Sequence, residues 1–275
     1  MTPGDRARYE ISRDTLARTE AITSQYSARG ATLDSTFNSD QLSPLDPDSS
    51  PNHPLSPVEF VKLDTFVAAR NIVKRFPNAA YGKIAILNLA SDEKPGGGWD
   101  KTPVRSQEDA LCYSSTLFKT LKPSYYPWPN TGPGSVAGIF SPGVVVFKDD
   151  LDHDCVDLPE GERCILGIIT VAAPRLPELT PDGKRFANKG QLENLRGKIR
   201  LVYRMAAHNE KEYLILGAMG CGVYRCPPRQ VAEEMKSVLM EEEFRGWFRN
   251  VTFAIYSRHS EIMNTFREVF ADTRV

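Results

Sequence analysis

Apolar and polar positions along this chain fall into two kinds of run. Short continuous apolar stretches occur at 83–90 (KIAILNLA), 144–148 (VVVFK), 164–173 (CILGIITVAA), 213–218 (YLILGA) and 251–256 (VTFAIY). Runs of this length without polar alternation fit strands covered on both faces. Between them lie stretches with helical spacing at 107–121, 191–208, 228–245 and 259–270. Another spans 58–76, where Phe60, Leu63, Phe66, Val67 and Ile72 share one side. Strands alternating with helices predict an α/β fold, a three-layer α/β/α sandwich around a mixed, mostly parallel sheet, in a single domain over 1–275.

Two segments stand outside that alternation. Residues 5–29 read as a helical extension, with no early Gly or Pro to break them. Residues 33–57 (LDSTFNSDQLSPLDPDSSPNHPLSP) are dominated by Ser, Asp, Asn and Pro and predict a flexible loop, since they carry little apolar surface to offset the entropy of ordering. A binding lid is the alternative reading of that loop.

Composition narrows the function classes. The 275 residues are 41% hydrophobic and 25% charged, values of a soluble globular protein able to bury a core without disulfides or metals. The net charge of −1 gives the chain as a whole no pull toward DNA or a membrane, so an anionic partner has to be met by a local site. Five cysteines, Cys112, Cys155, Cys164, Cys221 and Cys226, are an odd number in no disulfide-framework spacing, which predicts reduced thiols and an intracellular setting, cytoplasm or nucleus. The polar N-terminus is unlike a signal peptide.

Ligands of open α/β sheets bind beyond the carboxyl ends of the strands, and two glycine-rich segments lie there. One is Gly96, Gly97 and Gly98 after the strand that ends at Asn88 and Leu89; the other runs from Gly217 through Gly220, Cys221, Gly222, Val223 and Tyr224. Glycines let backbone N–H groups close on an anion, and two such cradles at one sheet edge suit a diphosphate between two sugar-like ends. They equally suit tight strand-to-helix turns. Lys101 breaks a dinucleotide fingerprint in the first segment, and Val223 stands where a P-loop has its lysine. Ser106-Gln107-Glu108-Asp109 then opens a helix; Ser106 and Asp109 approximate a capping box, which explains the acids without any catalysis. Cys221-x4-Cys226 is not a zinc spacing, and His153 reads as an exposed loop histidine. Tyr125, Tyr126 and Trp128, among prolines at 122–134, line a groove or pack their own loop down.

Taken together, these segments resemble the microbial-type poly(ADP-ribose) glycohydrolases, a macrodomain-fold family. Its signature is a triple glycine, six to eight residues, then Gln-Glu-Glu; here eight residues separate Gly98 from Gln107, Glu108 and Asp109. The stretches NLAS (88–91), DALCYSSTL (109–117) and LGAMGCGVYRCPPRQVA (216–232) match the family pattern as well. The resemblance covers about residues 5–271 and implies a macrodomain-like sheet binding ADP-ribose and poly(ADP-ribose) on modified proteins. It further implies a monomer with no metal, cofactor, direct DNA contact or membrane. It places Gly96, Gly97 and Gly98 against the distal ribose and diphosphate, and Gly220, Cys221, Gly222 and Val223 around the diphosphate. Tyr224 would pack on the distal ribose, Asn88 would hydrogen-bond it, and Gln107 and Glu108 would hold the site and its hydroxyls. The catalytic acid of the family falls on Asp109, one methylene shorter than the usual glutamate, which leaves two readings: a glycohydrolase, or an ADP-ribose-binding module with weak or no hydrolase activity. Arg175, after AAP, replaces a residue that is small and polar in the family.

Overall fold

The computed structural model describes residues 3–102, 105–256 and 260–275. Its centre is a seven-stranded sheet in the order β1-β4-β5-β3-β6-β7-β2. The strands are β1 (Thr36–Asn38), β2 (Glu59–Val61), β3 (Ile84–Leu89), β4 (Gly138–Val146), β5 (Cys164–Val171), β6 (Tyr213–Leu216) and β7 (Asn250–Ala254). β3 pairs in parallel with both β5 and β6, β6 with β7, and β7 with β2; β4 runs antiparallel to β5 and β1.

Strand period 2 sends alternate side chains into two cores. Ala85 and Leu87 of β3, with Leu214 and Leu216 of β6, meet α5 (Lys189–His208), α6 (Pro228–Leu239) and α7 (Ser260–Val269). Ile84 and Ile86, with Tyr213 and Ile215, meet α2 (Thr65–Arg75), α3 (Gln107–Ser114) and α4 (Leu117–Thr120). This is the expected three-layer sandwich. The N-terminal helix α1 (Pro3–Gln25) lies against α3, α4 and β4, with Ile22 buried in a third cluster with Val145 and Phe147. No described helix is long and apolar enough to cross a membrane.

Element boundaries differ from the expected ones for identifiable reasons. The stretch at 58–76 divides into edge strand β2, paired with β7, and α2, whose N-cap Asp64 accepts from the Phe66 and Val67 amides. β4 begins well before Val144, because Pro142 and Gly143 sit in a register shift between Ser141 and Val144 rather than in a turn. The helix expected at 107–121 breaks at Ser115, and the one expected at 228–245 stops at Leu239. Residue 259, the expected start of the last helix, lies outside the described residues, as do Pro103 and Val104 of the signature spacer.

The polar segment at 33–57 has no long element, as its composition implies, but it is laid against the domain as a strap. It contributes β1, and Arg204 clamps it by holding Glu243 with two bonds (2.7 and 2.8 Å) and the Leu42 carbonyl with a third (2.7 Å). Glu243 in turn accepts from the Leu45 amide, and the Leu45 side chain is buried. Charge-assisted hydrogen bonds thus add to the apolar anchorage that Phe37, Leu42 and Leu45 give the strap.

Candidate active site

β3 and β6 stay paired only as far as Ile86 and Ile215, then diverge at their carboxyl ends. That split is the crevice in which α/β sheets hold ligands. Gln107 closes its base. The side-chain oxygen accepts from the Leu89 amide (2.9 Å), and its nitrogen donates to the Leu87 carbonyl (2.9 Å) and to Thr65 Oγ1 (3.3 Å). The side chain therefore extends the ladder of β3 where β6 has left it and holds the base of the site, with both amide atoms bonded to protein partners.

Asn88 continues the alternation of Ile84 and Ile86 and is fully buried on the α3 side, an expensive place for an amide unless it is hydrogen-bonded. Its Nδ2 donates to Glu108 Oε1 (3.1 Å) and Thr170 Oγ1 (3.3 Å), while its Oδ1 has no partner. Glu108 Oε2 accepts from the Ser91 amide at 2.9 Å. Burial pushes the Glu108 carboxyl up to about 8 against the pull of these two donors, so it carries a proton at neutral pH.

One helical turn explains the placement of the triple glycine. Residues 108 and 112 share a face of α3, being four apart. A β-carbon on Gly96 would meet Cys112 Sγ at 3.2 Å and Phe118 at 3.0 Å, and one on Gly97 would meet Glu108 Oε2 at 3.3 Å; the two glycines have φ of +57° and +60°. The loop thus fits onto this face only as glycine. Asp109 lies on the next face, toward Tyr113, which stacks on the buried Trp99 (centroids 5.3 Å apart). Asp109 Oδ2 accepts from the Ser106 amide (3.2 Å) and the Ser106 hydroxyl, and Ser106 Oγ accepts from the Asp109 amide (3.1 Å), a complete capping box. The carboxyl facing the triple glycine is therefore Glu108, and the one at the family's acid position is engaged in starting its own helix.

The second glycine loop forms the opposite wall. Gly220 (φ +73°) packs so closely that a β-carbon would lie 2.7 Å from Ala173 Cβ and from Cys226 Sγ. Gly222 has open space around its missing β-carbon, and Val223 is exposed. Cys221 Sγ donates to the Met219 carbonyl at 3.6 Å, and burial raises its pKa well above the usual thiol value. Tyr224 reaches across to the Ala90 carbonyl (3.4 Å) and Asp92 Oδ1 (3.3 Å); burial first, then Asp92, push its phenol up to about 12, so it remains a donor.

A cavity of ≈ 260 Å³ lies between these walls, toward β7 and α2. Gln107 and Ser106 border it on one side and Gly217, Cys221 and Gly222 on the other; Asp64, Asp150, Asp152, Arg105 and Tyr256 form its far end. Sequence reasoning missed this far end. Only Asp64 left a signal, as the polar residue opening an apolar helix; Asp152, which joins Arg105 (3.1 Å) and Tyr256, left none. Asn88, Glu108 and Tyr224 sit on the β5 side, beyond the cavity's lining. Arg175 is there too, on the other side of β3 from the cavity. Tyr126 also approaches Glu108: its hydroxyl is buried without a partner, as is Trp128 Nε1, and burial first, then Glu108, raises the Tyr126 pKa.

Among the described residues, Asp149, Asp150 and His153 bring possible metal-ligand atoms within 4.8 Å of one another. Asp149 is engaged by Arg70, and Asp150 caps the following turn through the Asp152 and His153 amides (both 3.0 Å). His153 is exposed and hydrogen-bonded to Asp150 (2.7 Å), the chief cause of its raised pKa.

Known proteins share the sequence pattern and the fold of this chain. The family model for the microbial-type PARG (poly(ADP-ribose) glycohydrolase) catalytic domain matches residues 4–149. Poly(ADP-ribose) glycohydrolase from Thermomonospora curvata is similar over 96% of this chain and 99% of its own, with 25% identity and a TM-score of 0.76; the same enzyme bound to the inhibitor ADP-HPD matches with a TM-score of 0.74, 25% identity and the same coverage. The enzyme from Deinococcus radiodurans in complex with ADP-ribose is 31% identical over 78% of this chain and 84% of its own, with a TM-score of 0.65. No curated protein matches the sequence.

Proposed function

The chain belongs to the family of microbial-type poly(ADP-ribose) glycohydrolase catalytic domains, and we infer that it hydrolyses the ribose–ribose O-glycosidic bonds of poly(ADP-ribose), releasing ADP-ribose. The single observation that carries this reading is the Glu108 carboxyl: buried, neutral near pH 7, hydrogen-bonded to Asn88 and set against the triple glycine. Cleavage of a glycosidic bond needs such a protonated acid beside the departing oxygen.

In this reading the distal ribose lies beside Asn88 and Glu108, both buried in the ligand-free protein, so the loop at 96–98 shifts to admit it and the unpartnered Asn88 Oδ1 accepts one of its hydroxyls. The diphosphate runs between the glycine loop at 96–98 and the loop at 220–223, where backbone approach is unobstructed at Gly222. The adenosine half extends into the cavity. Glu108 donates its proton to the ribose oxygen of the departing unit, positive charge develops on the distal ribose, and water adds at its anomeric carbon. The resulting Glu108 carboxylate, still held by the Ser91 amide and Asn88, then recovers a proton from that water. Asp109 organises the helix that carries Glu108.

A second reading draws on the capping box. If the residue at the family's acid position has to do the chemistry, its engagement with Ser106 makes the protein an ADP-ribose-binding module with weak or no hydrolase activity. Incubation with poly(ADP-ribose), with and without EDTA, separates the two when paired with calorimetry on free ADP-ribose. The expected result is ADP-ribose release that EDTA does not change. Binding without release selects the second reading, and neither binding nor release rejects both.

A further inference from the structure

Four loops meet beside Asn88 and Glu108, and at their junction lies a carboxylate for which the reaction above has no use. Asp92 follows β3, its side chain is 3% exposed, and two donors from different loops reach it. Arg175 Nη2 approaches Oδ2 at 2.7 Å, and the Tyr224 hydroxyl donates to Oδ1 at 3.3 Å. The Asp92 carbonyl also accepts from the Trp128 amide at 3.1 Å.

Arg175 is itself fixed. Its amide donates to Asn130 Oδ1 (2.7 Å), its other terminal nitrogen bonds Glu93, and its guanidinium carbon lies 5.8 Å from the Tyr224 ring centre. Asn130 is held in turn, since its carbonyl accepts from the buried Lys198 Nζ at 2.7 Å. A buried carboxylate met by a half-buried guanidinium and phenol adds little net stability; what such a set confers is a defined geometry. Here the group whose geometry is defined is the aromatic ring at the end of the diphosphate loop. That loop needs such a fixture, because Gly222 and the exposed Val223 bring little packing of their own.

We propose that Asp92 is a positioning residue: clamped by Arg175, it takes the Tyr224 hydroxyl and holds the phenol ring and diphosphate loop in the ligand-ready arrangement before ADP-ribose arrives. Ordering the loop in advance removes a cost that binding otherwise meets. The inference rests on the ADP-ribose reading of the site, and a test in two stages keeps the two apart.

The first stage uses ligand-free protein. Tyr224→Phe removes only the hydroxyl, and Asp92→Asn removes the charge that Arg175 clamps while keeping the shape. Amide exchange at Arg225 and Cys226, whose N–H groups close the loop onto the Gly222 and Gly220 carbonyls at 3.0 Å, is expected to quicken in both variants and no further in the double variant. The second stage is kinetic. Each variant is expected to raise KM for the polymer and Kd for ADP-ribose about 3- to 10-fold, with kcat nearly unchanged and no further loss in the double variant. Exchange unaltered by either change overturns the proposal, whether or not the wild type proves to be a hydrolase. So do effects on KM that multiply in the double variant, or a quickened loop with KM and Kd unmoved.

Discussion

Gly97 and Glu108 stand face to face, so that a β-carbon on residue 97 would lie 3.3 Å from Glu108 Oε2. At φ +60° that position also disfavours any L side chain. Gly97→Ala is therefore expected to displace the Glu108 carboxyl by a few tenths of an ångström and to lower kcat by at least tenfold, since about 1 Å of misplacement can cost ~100-fold. The fold should persist by circular dichroism. Wild-type turnover in Gly97→Ala would detach the triple glycine from the catalytic carboxyl.

The protonation of Glu108 gives a prediction with a sign. Its carboxyl titrates at about 8 in the folded chain against an ordinary 4.5, so between these values the unfolded chain is ionised at this position and the folded chain is not. Stability from the neutral form is complete below pH 4.5 and is lost as pH climbs to about 8. Asp64, raised by burial from 3.8 to about 6, adds the same trend over a lower window. Turnover is expected to fall above pH 8, where the acid form disappears. Glu108→Gln should lower kcat by about 100- to 10,000-fold with free ADP-ribose still bound, and should flatten the fall in Tm between pH 6 and 8. A Tm that falls equally steeply in Glu108→Gln would assign the slope to other groups.

The two glycines of the opposite loop should behave differently. Gly220→Ala brings a β-carbon within 2.7 Å of Ala173 and Cys226 at φ +73°, and is expected to cost about 1–3 kcal/mol, seen as a Tm lower by ~2–4 °C for each kcal/mol. Gly222→Val meets nothing within 4 Å and should melt like wild type while losing ADP-ribose binding, because its side chain projects where the diphosphate approaches. Normal binding by Gly222→Val, measured calorimetrically, would move the ligand away from this loop.

What could be read from the chain alone divides along physical lines. Continuous apolar runs marked β3, β5, β6 and β7, because strands buried on both faces have no other composition available to them. β1 and β2 were invisible: three residues each, they exist through pairing with β4 and β7 and not through any local preference. The strap at 33–57 is ordered by Arg204 and Glu243, about 160 and 200 residues further along the chain, which no local pattern announces. At the candidate site, the resemblance pointed to Asn88, the triple glycine and the triplet Gln107, Glu108 and Asp109, which the fold brings near one another, yet it could not say which acid faces which loop. That depended on a 100° step around α3, which turns residue 108 toward Gly97 and residue 109 toward Ser106 and Tyr113. Nor could the sequence show that the Gln107 amide completes the ladder of β3. Asp92 and Arg175 drew no attention as a pair, 83 residues apart and joined only through the fold.

Asp109 is where the two functional readings part. With Oδ2 engaged by the Ser106 amide and hydroxyl, its carboxyl works as the N3 member of a capping box. Asp109→Asn keeps the size and one accepting oxygen, loses the charge that favours a helix N-terminus, and should cost about 0.3–1 kcal/mol of stability. If Glu108 is the acid, turnover by Asp109→Asn stays within about tenfold of wild type, against the 100-fold or greater loss that removal of a general acid produces. If Asp109 is the acid, the order reverses, and Glu108→Gln is the milder change. Asp109→Glu separates the remaining possibility, because glutamate at N3 also completes a capping box and supplies the missing methylene. In an enzyme whose acid is Glu108, Asp109→Glu leaves kcat unchanged. In a binding module that lacks only reach, it raises ADP-ribose release from near zero with the Kd for ADP-ribose unmoved, and that result would transfer the chemistry from Glu108 to position 109.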